Sequence, residues 1–149
     1  MLTGANTALT SLSVLIVEDE ALIALNLITL LEDLGHHVHG PAATSAQALA
    51  LAAASRPDLA FIDMNLLDGA TGADLAHQLA RNPLTTVVVL SATPDGVQEG
   101  TDGIFRVIRK PYRDQAILEV VFRALAHRDV AMAENRDDDH QEAHASTQR

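Results

Sequence analysis

The sequence predicts an α/β domain in which a parallel sheet is covered by helices on both faces. Three observations carry this expectation. Short runs of Val, Ile and Leu recur without polar alternation, as strands buried on both faces require. Helical segments separate these runs, and repeated strand–helix alternation is how parallel neighbours are joined. Finally, 149 residues at 48% hydrophobic composition suffice for one domain with a real core, since a chain of this size buries about 70% of its unfolded surface.

Each element follows from local chemistry. Residues 1–11 are Thr, Asn, Ala and Ser without periodicity and read as a loose arm. Val14-Leu15-Ile16-Val17 is the first strand. Ala21 to Leu34 is apolar almost all round and stops at Gly35, suited to a left-handed cap. His37 to Gly40 is a weaker strand, and Ser45 is placed to cap an Ala-rich helix that ends near Pro57. Leu59-Ala60-Phe61-Ile62 is the third strand, and Ala73 to Ala80 the third helix, closed before Pro83. Thr86 to Leu90, with three consecutive valines, is the clearest strand. Residues 93–103 contain Pro94, Gly96, Gly100 and Gly103, which leaves room for a turn or so of helix. Phe105 to Ile108 is the fifth strand. Beyond Arg113, an apolar stripe at helical spacing runs through Ile117, Val121 and Leu125, with Leu118 and Phe122 beside it. Residues 134–149 hold five acids and two bases, including Asp137, Asp138 and Asp139 in succession, a composition expected to stay disordered. The expected division is an arm over 1–11, one domain over 12–133 and an acidic tail over 134–149.

Composition excludes several roles. Twenty acids against ten bases give a net charge of −10, which argues against binding nucleic acid or an anionic membrane. The single Tyr and absent Trp leave no aromatic platform for bases. Without cysteine there is no disulfide, thiolate metal site or thiol nucleophile, which fits a reducing, cytoplasmic setting. The first twelve residues carry no positive side chain, unlike a secretory signal, and the apolar stretch Ala21 to Leu31 is too short to span a bilayer.

Open parallel sheets place their chemistry at the carboxyl ends of the strands. Here those ends carry Glu18-Asp19-Glu20, Asp63, Ser91 and Lys110-Pro111. A nucleotide fold would need a Gly-rich phosphate loop after the first strand. A block of carboxylates repels phosphate unless a divalent cation intervenes, and Mg²⁺ suits hard oxygen ligands shared with phosphate. Asp63 could then serve as a carboxylate nucleophile forming an acyl phosphate, with the cation, an ammonium and a hydroxyl neutralising the equatorial oxygens. Taken singly, each acid is more often a helix N-terminal charge, and Ser91 could be any turn residue. Lys110 stands apart as the one lysine beside nine arginines; a compact point charge on a flexible stem is a reason to keep it. Four strand ends with complementary chemistry favour the functional reading.

The ordered set Val14-Leu15-Ile16-Val17-Glu18-Asp19-Glu20, Asp63-Met64-Asn65-Leu66, Leu90-Ser91-Ala92 and Lys110-Pro111-Tyr112 resembles the receiver domain of two-component response regulators, over about residues 12–130. The resemblance implies a flavodoxin-like five-stranded sheet of order 2-1-3-4-5. It implies that Asp63 is the phosphoacceptor, and that Glu18, Asp19, Asp63 and the Asn65 carbonyl hold Mg²⁺. It further implies that Ser91 is the switch hydroxyl, and that Lys110 pairs with the phosphoryl group beside a cis peptide to Pro111. Ala92, Thr93, Val107 and Tyr112 fall in the switch region. Departures are visible. Leu67 replaces the proline usual four residues after the phosphoacceptor, Val107 replaces the switch aromatic, and the fourth helix is expected to be short or irregular. These features are similar to stand-alone receivers with a Phe-Ala-Thr-Gly motif, although this chain reads Leu90-Ser91-Ala92-Thr93-Pro94.

The function so implied is a single-domain response regulator, not an enzyme beyond its own phosphorylation and dephosphorylation. It would take phosphoryl groups from a histidine kinase or phosphotransfer protein, then bind a downstream protein or a second copy, or act as a phosphate sink. One alternative is a Mg²⁺-dependent phosphohydrolase; those enzymes generally carry Asp-x-Asp at the first strand, whereas Ala21 lies two residues after Asp19. The other is a phosphorylation-independent docking module, which would predict loss of Asp63, Lys110 or the acid pair. His36, His37 and His39 invite a metal site, but 37 and 39 share a strand face that 36 does not, so a solvated junction is the expectation. His77 and His127 are expected on helix surfaces.

Overall fold

In the computed structural model, residues 11–69, 71–92 and 97–128 and Glu134 are described. The strands are β1 (Ser13–Val17), β2 (His37–Ala42), β3 (Leu59–Asp63), β4 (Thr86–Ser91) and β5 (Ile104–Arg109). The helices are α1 (Ala21–Asp33), α2 (Ser45–Ser55), α3 (Gly72–Ala80) and α4, over 114–128. All neighbouring strands pair parallel in the order β2-β1-β3-β4-β5, which is the expected flavodoxin-like sheet. The predicted arm up to residue 10, Thr93, and the predicted tail apart from Glu134 lie outside the described residues.

The two faces of the sheet are divided by the period-two pleat. Val14, Ile16, Phe61, Val88 and Leu90 pack against Leu27 and Leu31 of α1 and Ile117, Val121 and Ala124 of α4. Leu15, Val17, Ala60, Ile62, Val87 and Val89 face Ala48 of α2 and Leu75 and Leu79 of α3. Unbroken apolar runs in β1, β3 and β4 are therefore apolar on both sides for a reason.

Several local expectations change. β2 extends through a cis Gly40–Pro41 bond to Ala42. Thr44, not Ser45, caps α2: its hydroxyl accepts the Gln47 N–H at 3.2 Å. Ser45 is the first helical residue, because its own N–H is taken by Asp68 at 3.1 Å. On α4 the buried stripe is Ile117, Val120, Val121 and Ala124, while Phe122 is 72% exposed. Leu118 and Phe122 sit one helical step, about 100°, from the buried residues 117 and 121 and turn outward. His36 is buried rather than solvated, and its Nδ1 accepts the Leu12 N–H at 3.1 Å. Burial, then neighbouring His37, holds its pKa below the ordinary value. Among the described residues between β4 and β5 there is no helix; 99–103 turn instead. Val97 is buried there, and the Glu99 carboxylate accepts the Val107 N–H at 2.9 Å.

One anchor escaped the sequence reading. The Asp58 carboxylate accepts the Ser13 N–H at 2.9 Å and pairs with Arg128 at 2.9 Å, tying α4 to the start of β1.

Candidate functional site at the carboxyl ends of the strands

Three strands deliver charge to one point. Just past β1 lies Glu18, whose N–H is held by the Ala42 carbonyl at 2.9 Å. β3 ends in Asp63, and the next amide, Met64, bonds to the Leu90 carbonyl at 3.1 Å. Just past β5, the Lys110 N–H bonds to the Ser91 carbonyl at 2.8 Å, and the peptide to Pro111 is cis. The ammonium of Lys110 donates to Glu18 Oε2 at 3.0 Å and to Asp63 Oδ2 at 3.0 Å. Glu18 and Asp63 are both buried, so the Lys110 ammonium takes the place of water as their partner.

The electrostatics follow from that geometry. Burial pushes the Glu18 carboxyl up to about 7, against the opposing pull of Lys110, and Asp63 adds to the rise. Burial works against the Lys110 ammonium, but its hydrogen bonds to Asp63 and Glu18 outweigh it and hold its pKa above the usual value. Tyr112, half-buried beside them, is raised by burial and then by Glu18. Asp19 is half-buried and Glu20 exposed. Glu18, Asp19 and Asp63 each bring one carboxylate oxygen within 4.8 Å of the others. Three carboxylates this close, one of them driven towards protonation, fit a hard divalent cation that takes several oxygen ligands.

The loop after β3 is held tightly. The Asn65 N–H donates to Asp63 Oδ1 at 3.1 Å, which leaves Oδ2 to Lys110. The sequence reading missed two supports. Gly72 opens α3 directly against the Asp63 carbonyl and Met64 backbone, where any Cβ would collide. Asp68 accepts from Ser45 N–H and, at 2.8 Å, from the Thr71 hydroxyl, which lowers its pKa. The Asp68-x-x-Thr71 spacing was the available signal for this second support.

The remaining expected residues are placed around this centre. Ser91 is buried at the end of β4. Ala92 and Tyr112 line, with Lys110 and Ile23 of α1, a cavity of about 370 Å³. Val107 packs on the opposite face of the sheet, against the α2–α3 core. Leu67, where a proline was expected, is 71% exposed, and its N–H bonds to the Ala43 carbonyl.

Comparison with known proteins gives a consistent result. The family model of the response regulator receiver domain matches residues 14–122. The chain is 36% identical over 115 residues to the phyllosphere-induced regulator PhyR of Methylorubrum extorquens, covering 75% of this chain and 43% of that protein. It is 31% identical over 116 residues to the transcriptional regulatory protein PdtaR of Mycobacterium tuberculosis, covering 76% of this chain and 56% of the relative. The solution structure of the receiver domain of PhyR from Erythrobacter litoralis superposes with a TM-score of 0.70 at 32% identity, covering 79% of this chain and 92% of that one. The chain thus spans about half the length of the curated relatives it matches.

Proposed function

This chain belongs to the response regulator receiver family, and on that basis we propose that it receives a phosphoryl group on Asp63 from a histidine kinase or phosphotransfer protein. A carboxylate oxygen of Asp63 attacks phosphorus, the P–N bond to the donor imidazole breaks, and its electron pair leaves with the imidazole. Oδ2, which faces the Lys110 ammonium, is the attacking oxygen, while Oδ1 keeps the Asn65 N–H. Lys110 then exchanges its bond to the free carboxylate for one to a phosphoryl oxygen, so the ammonium stays paired throughout. Ser91, at the end of the adjacent strand, offers its hydroxyl to a second phosphoryl oxygen. Glu18, Asp19, Asp63 and the Asn65 carbonyl would hold Mg²⁺, which when bound would neutralise charge between carboxylates and phosphate.

Output follows from the added charge, about −1.5 to −2 with three strong acceptor oxygens. Val107 is too small and stiff to act as an aromatic lever, so the segment 92–103 is the responding element, ordered through Ser91. The protein then binds a downstream protein or a second copy, or drains phosphate from a shared relay, in the cytoplasm. No helix among the described residues is long and apolar enough to cross a membrane.

The observation that carries this reading is one ammonium 3.0 Å from two buried carboxylates at neighbouring strand ends. Incubation with Mg²⁺ and acetyl phosphate followed by intact mass measurement tests it. One phosphate adduct is expected on the parent chain and none on Asp63→Asn; an adduct that persists in that variant contradicts the assignment.

A further inference from the structure

The loop between β3 and α3 carries Asn65, yet its tip has no core side chain to hold it: Leu67 and Asp68 are both exposed. Hydrogen bonds to the start of α2 hold it instead. The Leu66 and Gly69 backbones bond each other in both directions, at 2.9 and 3.0 Å, which closes the loop into a tight turn. The Leu67 N–H reaches the Ala43 carbonyl at 3.0 Å, a bond that a proline at this position, lacking the N–H, would forgo. Asp68 then bridges two elements. Its Oδ2 accepts the Ser45 N–H at 3.1 Å and its Oδ1 accepts the Thr71 hydroxyl at 2.8 Å. The Ser45 hydroxyl donates to that of Thr71 at 2.9 Å, so the three residues form a closed ring. The Ser45 N–H is one of the helix-start amides without a helical partner, where a carboxylate is favoured. The same junction holds Glu18 through the Ala42 carbonyl at 2.9 Å, so both segments rest on one support.

We propose that Asp68, Thr71 and Ser45 form a clamp that positions the Asn65 carbonyl for Mg²⁺ and couples the metal loop to the first turn of α2. The inference rests on the Mg²⁺ site of the proposed function and deepens it. All three are positioning residues, since the ligands there are Glu18, Asp19, Asp63 and the Asn65 carbonyl. Leucine at 67 leaves the backbone freer than proline would, so a loop without the clamp has more conformations to lose when the metal binds. A carbonyl already held in place binds without that ordering cost. The coupling is reciprocal: whatever affinity the clamp lends to Mg²⁺ returns as a tighter clamp once Mg²⁺ is bound.

The test titrates the full chain with Mg²⁺ by calorimetry. Asp68→Ala is expected to weaken binding about tenfold, the lower end for groups that orient metal ligands. Thr71→Val keeps the Asp68 charge and removes only the hydroxyl, which makes no cap bond to α3; a smaller loss of the same sign is expected. The double variant should bind no more weakly than Asp68→Ala alone, because members of one unit are not additive. Asp68→Asn keeps an oxygen for the Ser45 amide and turns its NH₂ to the Thr71 hydroxyl, so near-parental affinity is expected. A loss in Asp68→Asn as large as in Asp68→Ala assigns the effect to charge and overturns the clamp, as does parental affinity in Asp68→Ala or Thr71→Val. Hydrogen exchange of the parent chain needs no substitution. Its Ser45 amide should exchange several-fold more slowly with saturating Mg²⁺ than without, and equal rates overturn the coupling. A parent chain that binds no Mg²⁺ would instead overturn the metal site itself, and the clamp's role with it.

Discussion

The centre of the sheet and its β5 edge are built from different materials. β1, β3 and β4 are buried along nearly their whole length, with polar groups gathered at their carboxyl ends, where Glu18, Asp63 and Ser91 sit. β5 is buried only at Ile104 and Ile108, is half-buried from Phe105 to Val107, carries two arginines and has a neighbouring strand on one side only. The described part of the segment leading into it is a chain of turns, held by Val97 in the core, by Glu99 on the Val107 amide and by the Gly100 N–H on the Ile104 carbonyl at 2.7 Å. Under the proposed function, this contrast would give stiffness to the chemistry and freedom to the response. A phosphoryl-transfer centre needs charges fixed in place, whereas a switch needs a region whose two arrangements differ by little.

Changes at the two regions should therefore differ in size. The largest effect is expected from Phe61→Ala, fully buried between helices and sheet, at about 3–5 kcal/mol of stability by chemical denaturation. Phe122→Ala, at 72% exposure, should stay within about 0.5 kcal/mol. Similar losses at both positions would erase the distinction between the buried centre of the sheet and the outer face of α4.

Next comes the charge centre. Lys110→Met leaves Glu18 and Asp63 without their shared cation and should cost about 3 kcal/mol at neutral pH. Asp19→Asn should behave oppositely in two assays. It weakens Mg²⁺ binding by calorimetry, yet raises or leaves unchanged the metal-free melting temperature, because it removes one of three mutually repelling carboxylates.

Glu18 also sets a pH dependence. Its folded pKa, about 7, lies above the ordinary 4.5, so the folded state binds the proton more tightly than the unfolded chain. That contribution is fully present below 4.5 and is lost as pH rises through 7. Metal-free stability should fall across this window, and Glu18→Gln should flatten that part of the curve. Mg²⁺ affinity should rise across the same window as the carboxylate becomes available.

The smallest effect belongs to the edge. Glu99→Ala removes one partly solvated bond to Val107 and should cost about 1 kcal/mol or less, while speeding hydrogen exchange at the Val107 amide.

How much of this was legible in the sequence follows the same division. The central strands were readable because burial on both faces writes an unbroken apolar run, as in Thr86 to Leu90. The meeting of Glu18, Asp63 and Lys110 was readable because strand ends in a parallel sheet converge, which brings them together from positions far apart in the chain. Features decided by a neighbour in space were not. Thr44 rather than Ser45 caps α2 because Asp68 claims the Ser45 amide. His36 is buried because the Leu12 amide needs its ring nitrogen. Gly72 has no local turn signal, since its role is to let α3 approach the Asp63 backbone. Leu118 and Phe122 misled because apolarity alone does not choose between helix faces.

Hydrogen exchange with and without beryllofluoride, in the presence of Mg²⁺, tests most directly whether the centre carries the chemistry and the edge the response. Protection is expected to rise chiefly in residues 92–103 and along β5, while β1 and β3 exchange equally slowly in both states. Equal protection of 92–103 in the two states, or a change confined to β1 and β3, would contradict the account.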